Sequence, residues 1–524
     1  MSEPHAPDAG GRQRVASVRA VTVEGVTGIP VGVECTAGAG APSESRILGL
    51  PDAAVRESFT RMRSALASCR YEWKARKVTF NLSPANVRKQ GSGFDLAFAV
   101  SMLVLDGLVD TERIADTVFF GELGLDGRLH PVRGALPVLL AAASSGARRV
   151  ILPLGNRAEA SIPLGAARDL EVWCSPTLAD VYRMLGGHDH EVERVRPAPP
   201  GRPRELPDLA EVRGQPLGKR ALEIAAAGGH HLMFCGLPGA GKTMLARRMP
   251  SILPRLSDED ALTVTSIRSV SGMIDPEHPL HDWPPFEDPH HNATAVSLVG
   301  GGTPVVRPGA VSRAHRGVLF LDEAPEFDAR VLDQLRQPLE TGSVTIHRAS
   351  GAFTFPARFQ LILAANPCPC AEAAGPGSCV CTSVVRRRYQ ARLSGPLLDR
   401  VDLVVDLLPP QRGALLDHTV VEEASAVVAR RVLLARQRAI ARWSPGRLNS
   451  EVPARQLRAR WQPGGASRDL LARAYDAGRL TGRGYDRVLR VAWTIADLAG
   501  HDEPGFDDVA EALAFRRRAF GAAA

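Results

Sequence analysis

The sequence predicts a multidomain α/β protein: a parallel-sheet core, a helical region behind it and a separate module in front. Three observations predict this. At 524 residues the chain exceeds what one ordinary core organises, so two or three domains are expected. A Pro- and Arg-rich stretch without apolar periodicity, RVRPAPPGRPRELP (194–207), reads as a linker. Beyond it, short apolar runs (HLMFCG, GVLFLDEA, FQLILAAN) alternate with helical patterns, as in a parallel sheet. After VDLVVDLLPP the segments ASAVVARRVLLARQRAIARW, SRDLLARAYDAG, GYDRVLRVAWTIADLAG and FDDVAEALAFRRR all carry helix-period apolar positions. The expected division is a tail at 1–13, a module at 14–190, a linker at 191–206, a core at 207–410 and a helical region at 411–524.

The composition excludes several classes. No apolar stretch approaches the roughly 18 residues a membrane helix needs, and the first residues lack a secretory pattern, so a soluble cytoplasmic protein is expected. Arg outnumbers Lys by 59 to 5, which reads as compositional bias rather than nucleic-acid binding. The location of the charge is more informative. From Gln411 onward there are 19 Arg against 13 acidic residues, which accounts for most of the net +7. A basic face there would suit phosphate backbones, and solvated helix faces are the alternative.

The segment GLPGAGKT comprises Gly236, Leu237, Pro238, Gly239, Ala240, Gly241, Lys242 and Thr243, and lies between an apolar strand and a helix. Glycines there let backbone N–H groups close around phosphate oxygens; Lys242 neutralises β/γ charge and Thr243 offers a hydroxyl to Mg²⁺. Lys242 is also the last lysine of an Arg-rich chain, kept where a compact point charge suits a phosphate. In GVLFLDEA a buried strand delivers Asp322 and Glu323 to the carboxyl edge of a sheet. Asp322 would hold Mg²⁺ through water, and Glu323 would act as general base on the attacking water.

The order P-loop, LFLDEAPEF, RQPLETGSVTIHRASG, FPARFQLILAANPCPC and LSGPLLDRVDL resembles the AAA+ ATPases of the magnesium-chelatase-like group, and within it the ComM/YifB family, over nearly the whole chain. The resemblance implies ATP and Mg²⁺ as ligands. It makes Asn366 the sensor that orients water and Arg400 an arginine finger acting on the neighbouring subunit, worth about 10³ to 10⁵ in rate. A finger acting in trans implies a closed homo-oligomeric ring, expected to be a hexamer. A structural pairing of Arg400 with Asp399 or Asp402 is the alternative. The second sensor is matched to Arg483, with Arg487 and Arg490 as substitutes.

In front of the core, GELGLDGRLHPVRGALPVLLAA resembles the α+β Lon-protease-like (ribosomal S5 domain 2-like) domain of the same proteins. The nucleophile position falls at Gly93, beside Ser92, and the lysine position at Leu136, so the dyad is missing. Lys89 and Arg88 are expected in solvent-exposed structural roles, with contact to phosphates as the alternative. GSVTIHRASGAFTFPARF reads as a β-hairpin with Val344, Ile346 and Phe353 apolar and His347 and Arg348 near its tip, and Gly300–Gly302 as a second loop; in this group both would face a pore and nucleic acid. Glu287 and Ala310 stand where relatives usually have Arg and Glu.

Cys368, Cys370, Cys379 and Cys381 form two Cys-x-Cys pairs, a donor set for a tetrahedral structural Zn²⁺. Disulfides, plain thiols and an iron–sulfur cluster are the alternatives. Cys35, Cys69, Cys174 and Cys235 read as core thiols. The implied function is an ATP-driven motor on branched or duplex DNA, in branch migration during natural transformation, with recombination proteins as partners. The rivals are a magnesium-chelatase ATPase subunit and a protein-remodelling AAA+ module.

Overall fold

A computed structural model gives the structure, describing residues 14–74, 76–165, 169–198, 205–303, 305–348, 351–370, 379, 381–409, 421–443, 446–478 and 480–516. The expected tail, part of the linker and the residues 371–378 between the cysteine pairs lie outside the described residues, as do 410–420 at the expected start of the helical region. The chain divides into two units: Met1–Arg202 with Ala261–His281, and Pro203–Asp260 with Asp282–Ala524. The segment Ala261–His281, read from sequence as part of the core, thus groups with the amino-terminal unit.

The amino-terminal unit is built on an eight-stranded mixed sheet. Its order is Glu193–Val195, Glu171–Ser175, Arg149–Pro153, Thr117–Phe119, Val15–Glu24, Thr27–Gly38, Lys77–Ser83 and Arg46–Leu48. The apolar helices Asp95–Leu105 and Ala135–Ser144 are largely buried against it, as their hydrophobic residues on every side require. The segment from the other half of the sequence is fastened by polar contacts: Ser269 Oγ donates to Glu159 Oε1 over 2.5 Å and accepts from Leu136 N–H at 3.4 Å.

The second unit has a five-stranded, all-parallel sheet in the order Phe286–Glu287, Val318–Leu321, Gln360–Ala365, Leu232–Gly236 and Leu403–Leu407. Both faces are covered, so its strands read as continuous apolar runs. Leu232 and Phe234 enter one core; Met233 and Cys235 enter the other. The first of these cores also takes in Val428, Val432, Leu489 and Trp493 from the carboxy-terminal helices Ser425–Arg442 and Gly482–Ala499, and Trp443, which caps the first of them.

The helical region is fastened at the amino edge of the sheet. His230 Nε2 lies 2.8 Å from Thr494 Oγ1 and its Nδ1 3.3 Å from Asp402 Oδ2, while Arg487 donates to Asp402 Oδ1 at 2.7 Å. Asn449 bonds both Thr494 and Asp497, and Arg442 pairs with Asp497. Arg431, Arg436, Arg438, Arg490 and Arg516 are likewise engaged with carboxylates or backbone carbonyls. Much of the positive charge that the sequence offered to phosphate is therefore used internally; Arg430, Arg455, Arg460, Arg468, Arg473 and Arg483 are exposed.

Candidate nucleotide site and cysteine cluster

The strand Leu232–Gly236 ends at the sheet's carboxyl edge and turns into the helix Lys242–Ala246. The turn needs left-handed backbone at Gly239 (φ +77°) and Gly241 (φ +85°), which glycine adopts without a Cβ penalty. Lys242 is buried, its Nζ donating to Gly236 O (2.7 Å), Leu237 O (3.0 Å) and Asn366 Oδ1 (3.0 Å). Burial pulls its pKa below the usual lysine value, opposed by the charges of Asp322 and Glu323. Thr243 Oγ1 donates to Asp322 Oδ2 over 2.6 Å, which brings the hydroxyl and carboxylate expected at Mg²⁺ together. Glu323 follows in a left-handed conformation (φ +50°), with His291 Nδ1 3.3 Å from its Oε2.

The structure thus joins Lys242, Thr243, Asp322, Glu323 and Asn366 at one edge. It places the two remaining candidates elsewhere. Arg400 is bonded to Glu340 of its own chain and to Pro396 O, so neither expected structural partner, Asp399 nor Asp402, is the one it takes. Arg483 is exposed in the first turn of Gly482–Ala499. That helix is held to Asp402, which precedes the strand pairing Leu403 with Leu232, and the phosphate loop lies a strand length away, roughly 17 Å. Arg487 is committed to Asp402 and Arg490 to Val452 O.

Two residues escaped the sequence reading. Gln215 precedes the helix Pro216–Gly228 with φ +57° and braces the phosphate loop by donating to Ala240 O (2.9 Å) and Leu408 O (2.6 Å). Its signal was the Gln-Pro at a helix start. His291 was visible only as half of a His-His pair.

In the amino-terminal unit the expectation for Lys89 is corrected. Its side chain is fully buried because the ammonium bonds Pro84 O and, at 2.8 Å, Val87 O. At the two positions where the resemblance put the missing dyad, a Cβ at Gly93 would stand 2.2 Å from the Phe120 ring, and Leu136 is buried. Ser92 donates to Glu122. Cys35, Cys174 and Cys235 are core thiols as expected, whereas Cys69 is only half-buried.

Cys368, Cys370, Cys379 and Cys381 bring their Sγ atoms within 4.8 Å of one another. The separations of 3.4, 3.4 and 3.6 Å among the first three far exceed a disulfide bond and approach the roughly 3.8 Å edge of a tetrahedron with bonds of about 2.3 Å. Burial and the neighbouring thiols push the Cys368 pKa up to about 12. The cluster adjoins Asn366 and leads into the helix Ser383–Gln390, on which Arg386, Arg387 and Arg388 are exposed and Tyr389 is buried.

The hairpin expected before the sensor strand is present, pairing Ser343–Arg348 with Gly351–Pro356; residues 349 and 350 at its turn lie outside the described residues. Glu287 is paired with Arg313 at 2.9 Å, and Ala310 is buried at the start of Ala310–Arg313.

A parallel sheet whose carboxyl edge carries a glycine loop, its lysine, a Thr–Asp pair, an acidic neighbour and an Asn bonded to that lysine has the arrangement of a P-loop ATPase of the AAA+ class. The family signatures agree: "Magnesium chelatase, subunit ChlI" matches residues 208–415, "Subunit ChlI of Mg-chelatase" 33–156 and "Magnesium chelatase, subunit ChlI C-terminal" 422–516. An uncharacterized protein of Mycobacterium tuberculosis is 46% identical over 95% of this chain and 97% of its own. The competence protein ComM of Haemophilus influenzae is 38% identical over 90% and 91%, and YifB of Escherichia coli 38% over 94% and 95%. The chain belongs to the ComM/YifB family of magnesium-chelatase-like ATPases.

Proposed function

We propose that the chain is one subunit of a hexameric, ATP-driven motor that moves branched or duplex DNA in the cytoplasm, as in branch migration during recombination of incoming DNA. The observation that carries this reading is the full-length kinship to a competence protein combined with the assembled Lys242, Thr243, Asp322, Glu323 and Asn366 set. In it, Gly236–Thr243 cradle the phosphates, Thr243 and Asp322 hold Mg²⁺, Glu323 takes the water proton and Asn366 orients the water. Arg400 exchanges Glu340 for a neighbour's γ-phosphate, and Arg483, exposed and away from its own phosphate loop, reaches a neighbour if it senses nucleotide. The exposed His347, Arg348 and Arg386–Arg388 meet the DNA backbone.

The four cysteines would hold a structural Zn²⁺ that braces the path from Asn366 to Arg400. The amino-terminal module, a Lon-like fold without its dyad, serves assembly or partner contact. The test is a synthetic three- or four-way junction with ATP and Mg²⁺: wild type moves it and Lys242→Ala does not. Junctions that stay put with both proteins overturn the reading. A second reading, suggested by the family signatures, is an ATPase subunit for Mg²⁺ insertion into a porphyrin; metal insertion with partner subunits and no response to DNA would select it.

A further inference from the structure

The helix Ser383–Gln390 begins two residues after Cys381, and the hydroxyl of the intervening Thr382 accepts from Val385 N–H at 3.4 Å. Its sequence, SVVRRRYQ, holds three adjacent arginines and no carboxylate. Arg386, Arg387 and Arg388 are exposed, Val384 and Val385 are 64% and 43% exposed, and Tyr389 alone is buried. Val385 and Arg386 lie four and three residues before Tyr389, on its own side of the helix, and are still open to solvent. Only the last turn is therefore seated; the earlier turns project.

The seated end grips the ends of both catalytic strands. Gln390 Nε2 donates at 3.4 Å to the carbonyl of Pro367, the residue after Asn366. Arg392 donates to Pro325 O at 3.1 Å and to Glu326 Oε2 at 2.8 Å, within the turn Ala324–Glu326 that follows Glu323. Leu393 enters the core that holds Ala365, the last residue of the strand before Asn366. The Tyr389 phenol stands among these contacts. Burial, then the charges of Glu326 and Glu323, push its pKa up, and the backbone N–H of Asn366 pulls the other way, so that amide and the phenol oxygen are neighbours. At the other end, Cys368, two residues after Asn366, has its Sγ 3.4 Å from that of Cys379. The sensor turn and the helix are thus joined twice, by the thiols and by the seated turn, and a displacement of one moves the other. Asn366 Oδ1 meets Lys242 Nζ at 3.0 Å, so a shift of its backbone re-aims the amide that faces phosphate and water.

We propose that Tyr389 is a positioning residue for Asn366, and that the helix Ser383–Gln390 is the element through which a DNA backbone held by Arg386–Arg388 sets the rate of ATP hydrolysis. Tyr389 touches neither DNA nor nucleotide; it fixes the Asn366 backbone so that the side chain aligns the attacking water. Phosphates gathered by the arginines pull on the projecting turns, and the seated turn carries that pull to the sensor. The proposal rests on the reading of this protein as a DNA-responsive ATPase and names the part that responds.

The experiment measures ATP turnover of the full chain and its variants, without DNA and with a forked duplex, beside DNA affinity by fluorescence anisotropy. Rates are taken per site titrated with a fluorescent ATP analogue, so loss of folded protein cannot imitate the effect. Tyr389→Phe is expected to lower kcat roughly three- to tenfold and to shrink the DNA stimulation, with KM for ATP and DNA affinity unchanged. Added to Asn366→Ala, it is expected to slow turnover no further, because it acts through that residue. Replacing Arg386, Arg387 and Arg388 by Ala should flatten the dependence of log DNA affinity on log salt by about 2 to 3 and remove the stimulation. A tyrosine that only supports the fold would reduce the number of titrated sites and not the rate per site, and that result overturns the proposal. So does full stimulation in Tyr389→Phe or in the triple arginine variant. Wild-type turnover that ignores every DNA sinks the underlying reading instead, and the DNA-free rates of Tyr389→Phe and the double variant still judge the positioning of Asn366.

Discussion

Arg487→Met is expected to loosen the helical region from the sheet without touching the nucleotide. Arg487 Nη1 donates to Asp402 Oδ1 over 2.7 Å, and the two side chains are 14% and 6% exposed. Two turns along the same helix, Thr494 holds His230, whose other nitrogen faces the second oxygen of Asp402. Burial alone would raise the pKa of Asp402; His230 and Arg487 outweigh it and hold the carboxyl well below the usual range. Removing one partner of a buried ion pair costs about 3–5 kcal/mol, and since His230 remains, the lower end applies, about 3 kcal/mol. For a unit of this size that corresponds to roughly 5 °C in Tm. The sign follows from linkage: a depressed carboxyl pKa stabilises the fold above its unfolded value near 4, so at pH 7 the whole loss is read. The assay is thermal or urea unfolding beside ATP turnover. Asp402→Asn in the same background should recover part of the loss, because no carboxylate is then left buried without its cation. A variant that unfolds like wild type yet loses turnover about a hundredfold would refute this and make Arg487 the nucleotide sensor.

Three further outcomes are expected. Gly93→Ala should destabilise the amino-terminal unit by about 1–3 kcal/mol by driving a Cβ into the Phe120 ring, with Phe120→Ala relieving part of it in a double-mutant cycle followed by urea unfolding. His315 is buried, its Nδ1 accepts from Arg358 N–H at 3.0 Å, and burial followed by the charge of Arg316 lowers its pKa from 6.5 to about 4. The unfolded chain therefore takes the proton first: stability is full above about 6.5, falls by on the order of 3 kcal/mol as pH drops to about 4, and His315→Asn flattens that slope in unfolding titrations. Cys379→Ser with Cys381→Ser should abolish the binding of one Zn²⁺ per chain, read by metal analysis, and reduce assembly and turnover while nucleotide binding persists; unchanged assembly would remove the bracing role.

The phosphate loop and the acidic strand end were readable because both are local: a glycine pattern between a strand and a helix, and an apolar run ending in Asp322 and Glu323. The cysteine cluster was readable as a donor set, though its convergence is geometric. Lys89 shows where such reading stops. In RKQGSG it looks like a solvated lysine, and only the chain path places Pro84 O and Val87 O around its ammonium, acceptors that have no sequence signature. The carboxy-terminal arginines were misweighted for a related reason. Their carboxylate partners, such as Asp402 for Arg487 and Glu223 for Arg431, lie 85 and 208 residues away.

The sequence by itself determined the alternation of strands and helices, the glycine-rich turn after the first core strand, the identity of Asp322 and Glu323 and the family to which the chain belongs. These follow from backbone freedom and apolar periodicity, which act over a few residues. The tertiary structure alone decided that Asn366 meets Lys242, that Arg400 is held by Glu340, that Phe120 fills the space over Gly93 and that His291 faces Glu323. Each is a contact between segments far apart in the chain, set by strand register and core packing, and a linear pattern of residue types does not encode where such segments meet.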